Sequence, residues 1–108
     1  MTTFDDREKA NERKFAHDAD LKFKAESRRN RMLAEWAGAK MGITGSALDD
    51  YVKAVRKSDL QEAGDGDVFR KVKADLMANG LAVADADLQK QMGEFLAKAV
   101  ADVEAGRP

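Results

Sequence analysis

The stretch Asp65-Gly66-Asp67 has the carboxylate spacing that opens a calcium loop. An EF-hand loop would need a third Asp or Asn at position 69 and a glycine at position 70, where Phe69 and Arg70 stand. The stretch therefore reads as a turn and helix N-cap. His17, within HDAD, is the only histidine. It lies about one helical turn from Asp20 and could share a weakly held ion with it. With no second histidine and no cysteine, carboxylates alone would have to complete such a site. A solvated or capping histidine is the expected role, and no metal is expected.

Catalytic constellations are equally thin. The glycines at 42 and 45, and at 64 and 66, lack the Lys-Ser/Thr that a phosphate-binding loop needs. Ser27, Ser46 and Ser58 have only His17 available as a base. The carboxylates fall at helix starts and on polar faces. These residues point to a protein with no enzymatic activity and no cofactor. The run LKFKAESRRNR sets Lys22, Lys24, Arg28, Arg29 and Arg31 against one acid, Glu26. Phe23 or Trp36 could stack on a base, but the cations wrap around the helix and Trp36 falls on an apolar stripe. A solvated face, or a docking surface for an acidic protein, fits better than a nucleic-acid site. An alternative places a phosphate on Arg28, Arg29 and Arg31 and a ring on Trp36, making a small helical module that binds an adenine nucleotide.

These residues need elements to position them, and those elements are helices. Nineteen of the 108 residues are alanine, the only proline is Pro108, and Lys, Glu, Arg, Leu and Met supply most of the rest. Charged residues make up 36% with a net charge of -1, which gives no general attraction to nucleic acid or anionic lipid. Disulfides are excluded by the absence of cysteine. The apolar runs are too short for a transmembrane helix and no apolar signal core opens the chain, so a soluble cytoplasmic protein is expected. The first helix should run from about Phe4 to Met41, with Gly42 as its left-handed cap. A second should open with a capping box from Ser46 to Asp49 and present Leu48, Tyr51, Val52 and Val55. A third carries Val68, Phe69, Val72 and Leu76 and ends at Asn79-Gly80. The last begins near Asp85 and carries Leu88, Met92, Phe95, Leu96, Ala99 and Val103.

The two ends of the first helix disagree about which face is inside. Leu21, Ala25, Met32, Trp36 and Ala39 form one stripe, with Lys24, Arg28, Arg31 and Glu35 opposite. Phe4, Phe15 and Ala19 form another, rotated by roughly 90°. On this phasing one straight helix cannot aim both into one bundle. The first twenty residues thus look like an arm that is loose when free and helical against a complementary groove, anchored by its phenylalanines. Thr3 and Asp6 make a capping box, and Asp5, Asp6 and Glu8 sit where the helix dipole favours acids.

The stretch MTTFDDREKANERKFAHDADLKFKAESRRNRMLAEWAG resembles the opening of the zeta subunit family, the inhibitor proteins of α-proteobacterial F-type ATP synthases. GDGDVFRKVKADL is similar to the matching loop and helix of that family. The resemblance implies an all-α fold, a small four-helix bundle over residues 21–106 with a mobile, partly helical inhibitory arm over 1–20. It also implies that the arm enters the catalytic interface between the alpha and beta subunits of the ATPase head, near the gamma shaft. There it would block ATP hydrolysis while largely permitting synthesis. The partner-binding residues would be Thr3, Phe4, Asp5, Asp6, Arg7, Glu8, Lys9, Asn11, Arg13, Lys14 and Phe15. Such a protein would sit at the periphery of the inner membrane when bound, without inserting into it.

Overall fold

Strong helix formers broken by glycines produce the expected all-α architecture of four helices. The computed structural model describes the backbone of residues 3–59 and 66–107 and the side chains of 19–59 and 66–107. The helices are α1 (Thr3–Lys40), α2 (Gly45–Ser58), α3 (Gly66–Ala78) and α4 (Asp85–Glu104). At 38 residues α1 should span about 57 Å, and it accounts for the long axis of a molecule measuring 63 × 26 × 23 Å. It packs against each of the other three helices. α2 and α4 flank it without packing on each other, and α3 closes the bundle between them.

Glycine sets where α1 and α3 stop. Gly42 adopts φ 74°, which lets the Ile43 amide reach back to the Gly38 carbonyl (2.8 Å) and the Gly42 amide to that of Ala39 (3.2 Å). This paired arrangement satisfies carbonyls that a helix end leaves open. The same pattern closes α3 at Gly80, where φ is 75° and Leu81 bonds the Leu76 carbonyl at 2.9 Å. The start of α2 departs from expectation. Its N-cap is Thr44, in extended geometry and without a side-chain capping bond, so the chain is already helical at Ser46 and no Ser46–Asp49 box forms there.

The core is built from Leu33, Ala34 and Ala37 of α1, Val55 of α2, Val68, Val72 and Leu76 of α3, and Leu88 and Met92 of α4. Full burial of a Leu or Val side chain stabilises a fold by about 1.5–3 kcal/mol. α2, α3 and α4 present the faces expected of them. The phase of α1 does not match expectation. Ala25, Arg29, Leu33 and Ala37 are buried in one i,i+4 row, and Asn30 and Ala34 in the next. Leu21, Met32 and Trp36 are only half-buried, and Ala39 is exposed. Because α1 has neighbours on both flanks, its buried arc is wider than a single stripe. Alanines occupy the middle of that arc, where helices approach closely, and the large side chains mark its margin.

This correction removes the conflict between the two ends of α1. Positions 15 and 33 are 18 residues apart, five turns at about 3.6 residues per turn, and position 4 falls within about 20° of the same phase. On the observed core phase, the register of Phe4 and Phe15 continues that of Leu33. A mismatch of faces therefore gives no reason for the first residues to leave the helix.

Candidate functional site

Two segments of α1 were expected to carry function. For the first, Thr3 through Phe15, the backbone belongs to α1, while the side chains of Thr3, Phe4, Asp5, Asp6, Arg7, Glu8, Lys9, Asn11, Arg13, Lys14 and Phe15 lie outside the described residues, as does that of His17. The second is the basic stretch from Lys22 to Trp36, and its members part company. Arg28 donates to the carbonyl of Arg107, beyond the end of α4. Arg31 pairs with Glu35 at 2.8 Å on the solvent face. Trp36 meets Phe95 edge to face, with ring centroids 6.4 Å apart, and Lys40 stands 5.0 Å above its ring. Arg28 and Arg31 border one groove, Arg29 borders a different cleft, and Trp36 borders neither. The four do not converge on a common cavity.

Arg29 is the member that pattern reading misplaced. It is only 1% exposed, and its Nε and Nη2 donate to Asn30 Oδ1 at 3.0 and 2.9 Å. Asn30 is buried too and donates through Nδ2 to Asp59 Oδ2 at 2.9 Å, tying the middle of α1 to the end of α2. Buried polar groups of this kind persist when their hydrogen bonds are made. The signal was present in the spacing: Arg29 and Asn30 sit four residues before Leu33 and Ala34. Weighing charge above register hid it.

Other polar contacts hold helices together. Tyr51 donates its phenolic proton to Asp75 Oδ2 at 2.9 Å, joining α2 to α3, while Lys71 pairs with the same Asp75 oxygen at 3.1 Å. Burial, then the bond to Asp75 and its charge, push the Tyr51 phenol well above its ordinary range. Asp67 lies in the first turn of α3 and bonds Arg70 at 2.6 Å. Ser58 is buried and donates to the Val55 carbonyl at 2.6 Å. Among the described residues no three His, Cys, Asp or Glu side chains are gathered so as to share a metal ion.

A cleft of about 400 Å³ opens between α1, α3 and α4, bordered by Arg29, Gly66, Phe69, Arg70, Met92 and Leu96, among others. It presents cations and apolar surface but no nucleophile paired with a base. Such a lining can bind; it has no equipment for bond-breaking chemistry. Among the described residues no helix is long and apolar enough to cross a membrane.

No curated protein matches the chain. The sequence pattern of the family described as ATPase inhibitor subunit zeta matches residues 1–102, and the chain belongs to that family of non-catalytic regulators.

Proposed function

We propose that residues 1–20 form the inhibitory element, entering the alpha/beta catalytic interface of an F-type ATP synthase near its gamma subunit and stopping ATP hydrolysis as a steric wedge. Family membership carries the coarser statement, inhibition of an F-type ATPase. The finer one is supported by the division of labour along α1. Among the described residues of α1, Ala19 and Asp20 are exposed, Leu21 is half-buried, and the first fully buried side chain is that of Ala25. In register, Phe4 and Phe15 share one face, as two anchors on a single groove would require. Because its backbone already continues α1, the segment would enter the interface as a preformed helix, without the ordering cost of about 1–2 kcal/mol per residue that a loose arm would meet there. When bound in this way the protein sits peripherally at the inner membrane and is otherwise cytoplasmic.

The test is ATP hydrolysis by purified F-type ATPase titrated with the full chain and with a chain lacking residues 1–14. Deletion should abolish inhibition and leave the melting temperature nearly unchanged. A truncated chain that still inhibits would place the inhibitory element elsewhere. Within the arm, Phe4→Ala should weaken inhibition strongly and Ala10→Gly mildly, by about fivefold, from a helix-propensity penalty near 1 kcal/mol. If Ala10→Gly had no effect while Phe4→Ala abolished inhibition, the arm would bind in a non-helical form.

A second reading, a helical module that takes an adenine nucleotide, has room in the α1–α3–α4 cleft, where Phe69 and Arg70 both border the opening. Amide shifts on titration with ATP or ADP would support it. Their absence at millimolar nucleotide would remove it.

A further inference from the structure

α2 runs antiparallel to α1 and is much shorter. Gly38 lies against Leu48 near the start of α2, and Asn30 bonds Asp59 just past its end. α2 ends at Ser58, and Phe23 stands on α1 to the N-terminal side of Asn30 with 69% of its surface exposed. A groove of about 350 Å³ adjoins it on the α2 side, edged by Lys53, Arg56 and Lys57. On the α4 side a second groove of about 460 Å³ adjoins it, edged by Lys24, Arg28 and Arg107. An exposed aromatic ring thus stands between two grooves, of which the α2-side one carries the cations without ion pairs.

Three of the acids nearby have partners within the fold, while Glu26 and Asp49 have none among the described residues. Asp59 accepts from Asn30, Asp102 pairs with Arg107 at 2.9 Å, and Asp20 pairs with Lys24 at 3.0 Å. Lys22, Lys53, Arg56 and Lys57 make no ion pair with the described residues, and Glu26 is the acid left on the α2-side groove. The α2-side groove thus carries three cations, Lys53, Arg56 and Lys57, against two acids, Glu26 and Asp59, a local excess of positive charge on a chain whose net charge is -1.

We propose that the Phe23 face docks an acidic protein segment that lays an apolar side chain against the ring and its carboxylates along the Lys53–Arg56–Lys57 rim. On the inhibitor reading above, on which this step rests, the segment belongs to the ATPase. The face then holds the bundle at a second point, apart from the arm. A second copy of the chain is a poor occupant, because a two-fold interface would set this basic face against itself. Nucleic acid is disfavoured because Phe23 is the one exposed ring among the described residues, and stacking on single strands uses successive aromatic platforms.

The test uses the full chain carrying Lys53→Glu with Lys57→Glu, and separately Phe23→Ala, all at exposed positions. Melting temperatures should match the wild type. The half-inhibitory concentration on the F-type ATPase should rise at least tenfold at low salt for the double variant, its salt dependence should flatten, and inhibition at saturation should stay complete. In parallel, a synthetic peptide alternating glutamate and leucine should shift amides around Phe23, Ser27 and Lys53 in the wild type and not in the double variant. Inhibition curves that overlay and no peptide shift at millimolar concentration would overturn the proposal. So would retention on DNA or phosphatidylserine vesicles lost in the variant while ATPase binding is kept, or a wild-type dimer that Phe23→Ala dissociates. If the wild type fails to inhibit yet the peptide still shifts this face, the inhibitor reading fails and the docking site stands.

Discussion

Arg29 and Asn30 show how much of this fold rests on a few polar atoms. Two bonds from a buried guanidinium converge on one amide oxygen, and the other end of that amide holds Asp59. Asn30→Ala removes an acceptor from Arg29 and a donor from Asp59 together, so it should cost about 1–3 kcal/mol in urea unfolding. An exposed pair such as Arg31–Glu35, by contrast, should contribute well under 1 kcal/mol. Tyr51 gives a pH signature. Its folded-state phenol titrates above the unfolded value of about 10, so its contribution is intact below pH 10 and is lost as pH rises toward the folded value. Wild-type melting temperature should fall more steeply between pH 10 and 12 than that of Tyr51→Phe. At neutral pH the same variant should be less stable by about 0.5–1.5 kcal/mol, the worth of one hydrogen bond. Equal slopes would mean that neither burial nor the bond to Asp75 holds the phenol above its ordinary range in solution.

At the scale of elements, helix identity, order and most boundaries were legible from propensity and from glycine punctuation at Gly42 and Gly80. The faces of α2, α3 and α4 were legible because large apolar side chains recur along each at helical spacing. The face of α1 was not. Its buried arc is lined by alanine, arginine and asparagine as well as Leu33, and hydrophobic periodicity cannot weigh an alanine chosen for close approach. The candidate site fared similarly: the basic run was legible as a cluster, but its division between buried and open positions follows from that hidden phase. Glycine inside a helix gives a further test. Gly93 is in α4, and a methyl group added there would meet nothing within 4 Å. Gly93→Ala should stabilise the protein by about 0.5–1 kcal/mol, read as a higher urea midpoint at unchanged slope. Gly38 differs, because the added methyl would lie 2.6 Å from Leu48 Cδ1, and the shift it forces offsets the gain in propensity.

For the whole molecule, the decisive feature is that α1 does not stop where the bundle begins. The segment proposed as the inhibitory arm and the helix that carries the core are one 38-residue rod, with Phe23 between them. A rod keys its two ends in rotation as well as in distance, in the way that a shaft fixes a cam to its gear. If arm and bundle grip the ATPase together, alanines inserted between Ala19 and Leu21 should be judged by angle and not by length. Two extra residues turn the arm by about 200° while lengthening the rod by only about 3 Å; four lengthen it by about 6 Å but turn it by about 40°. The four-residue insertion should therefore retain more inhibition than the two-residue one, measured as half-inhibitory concentration on the same enzyme. Loss that grew steadily with length would describe a tether, whereas recovery at four residues would mean that the inhibitor carries an angular setting in the pitch of a single helix.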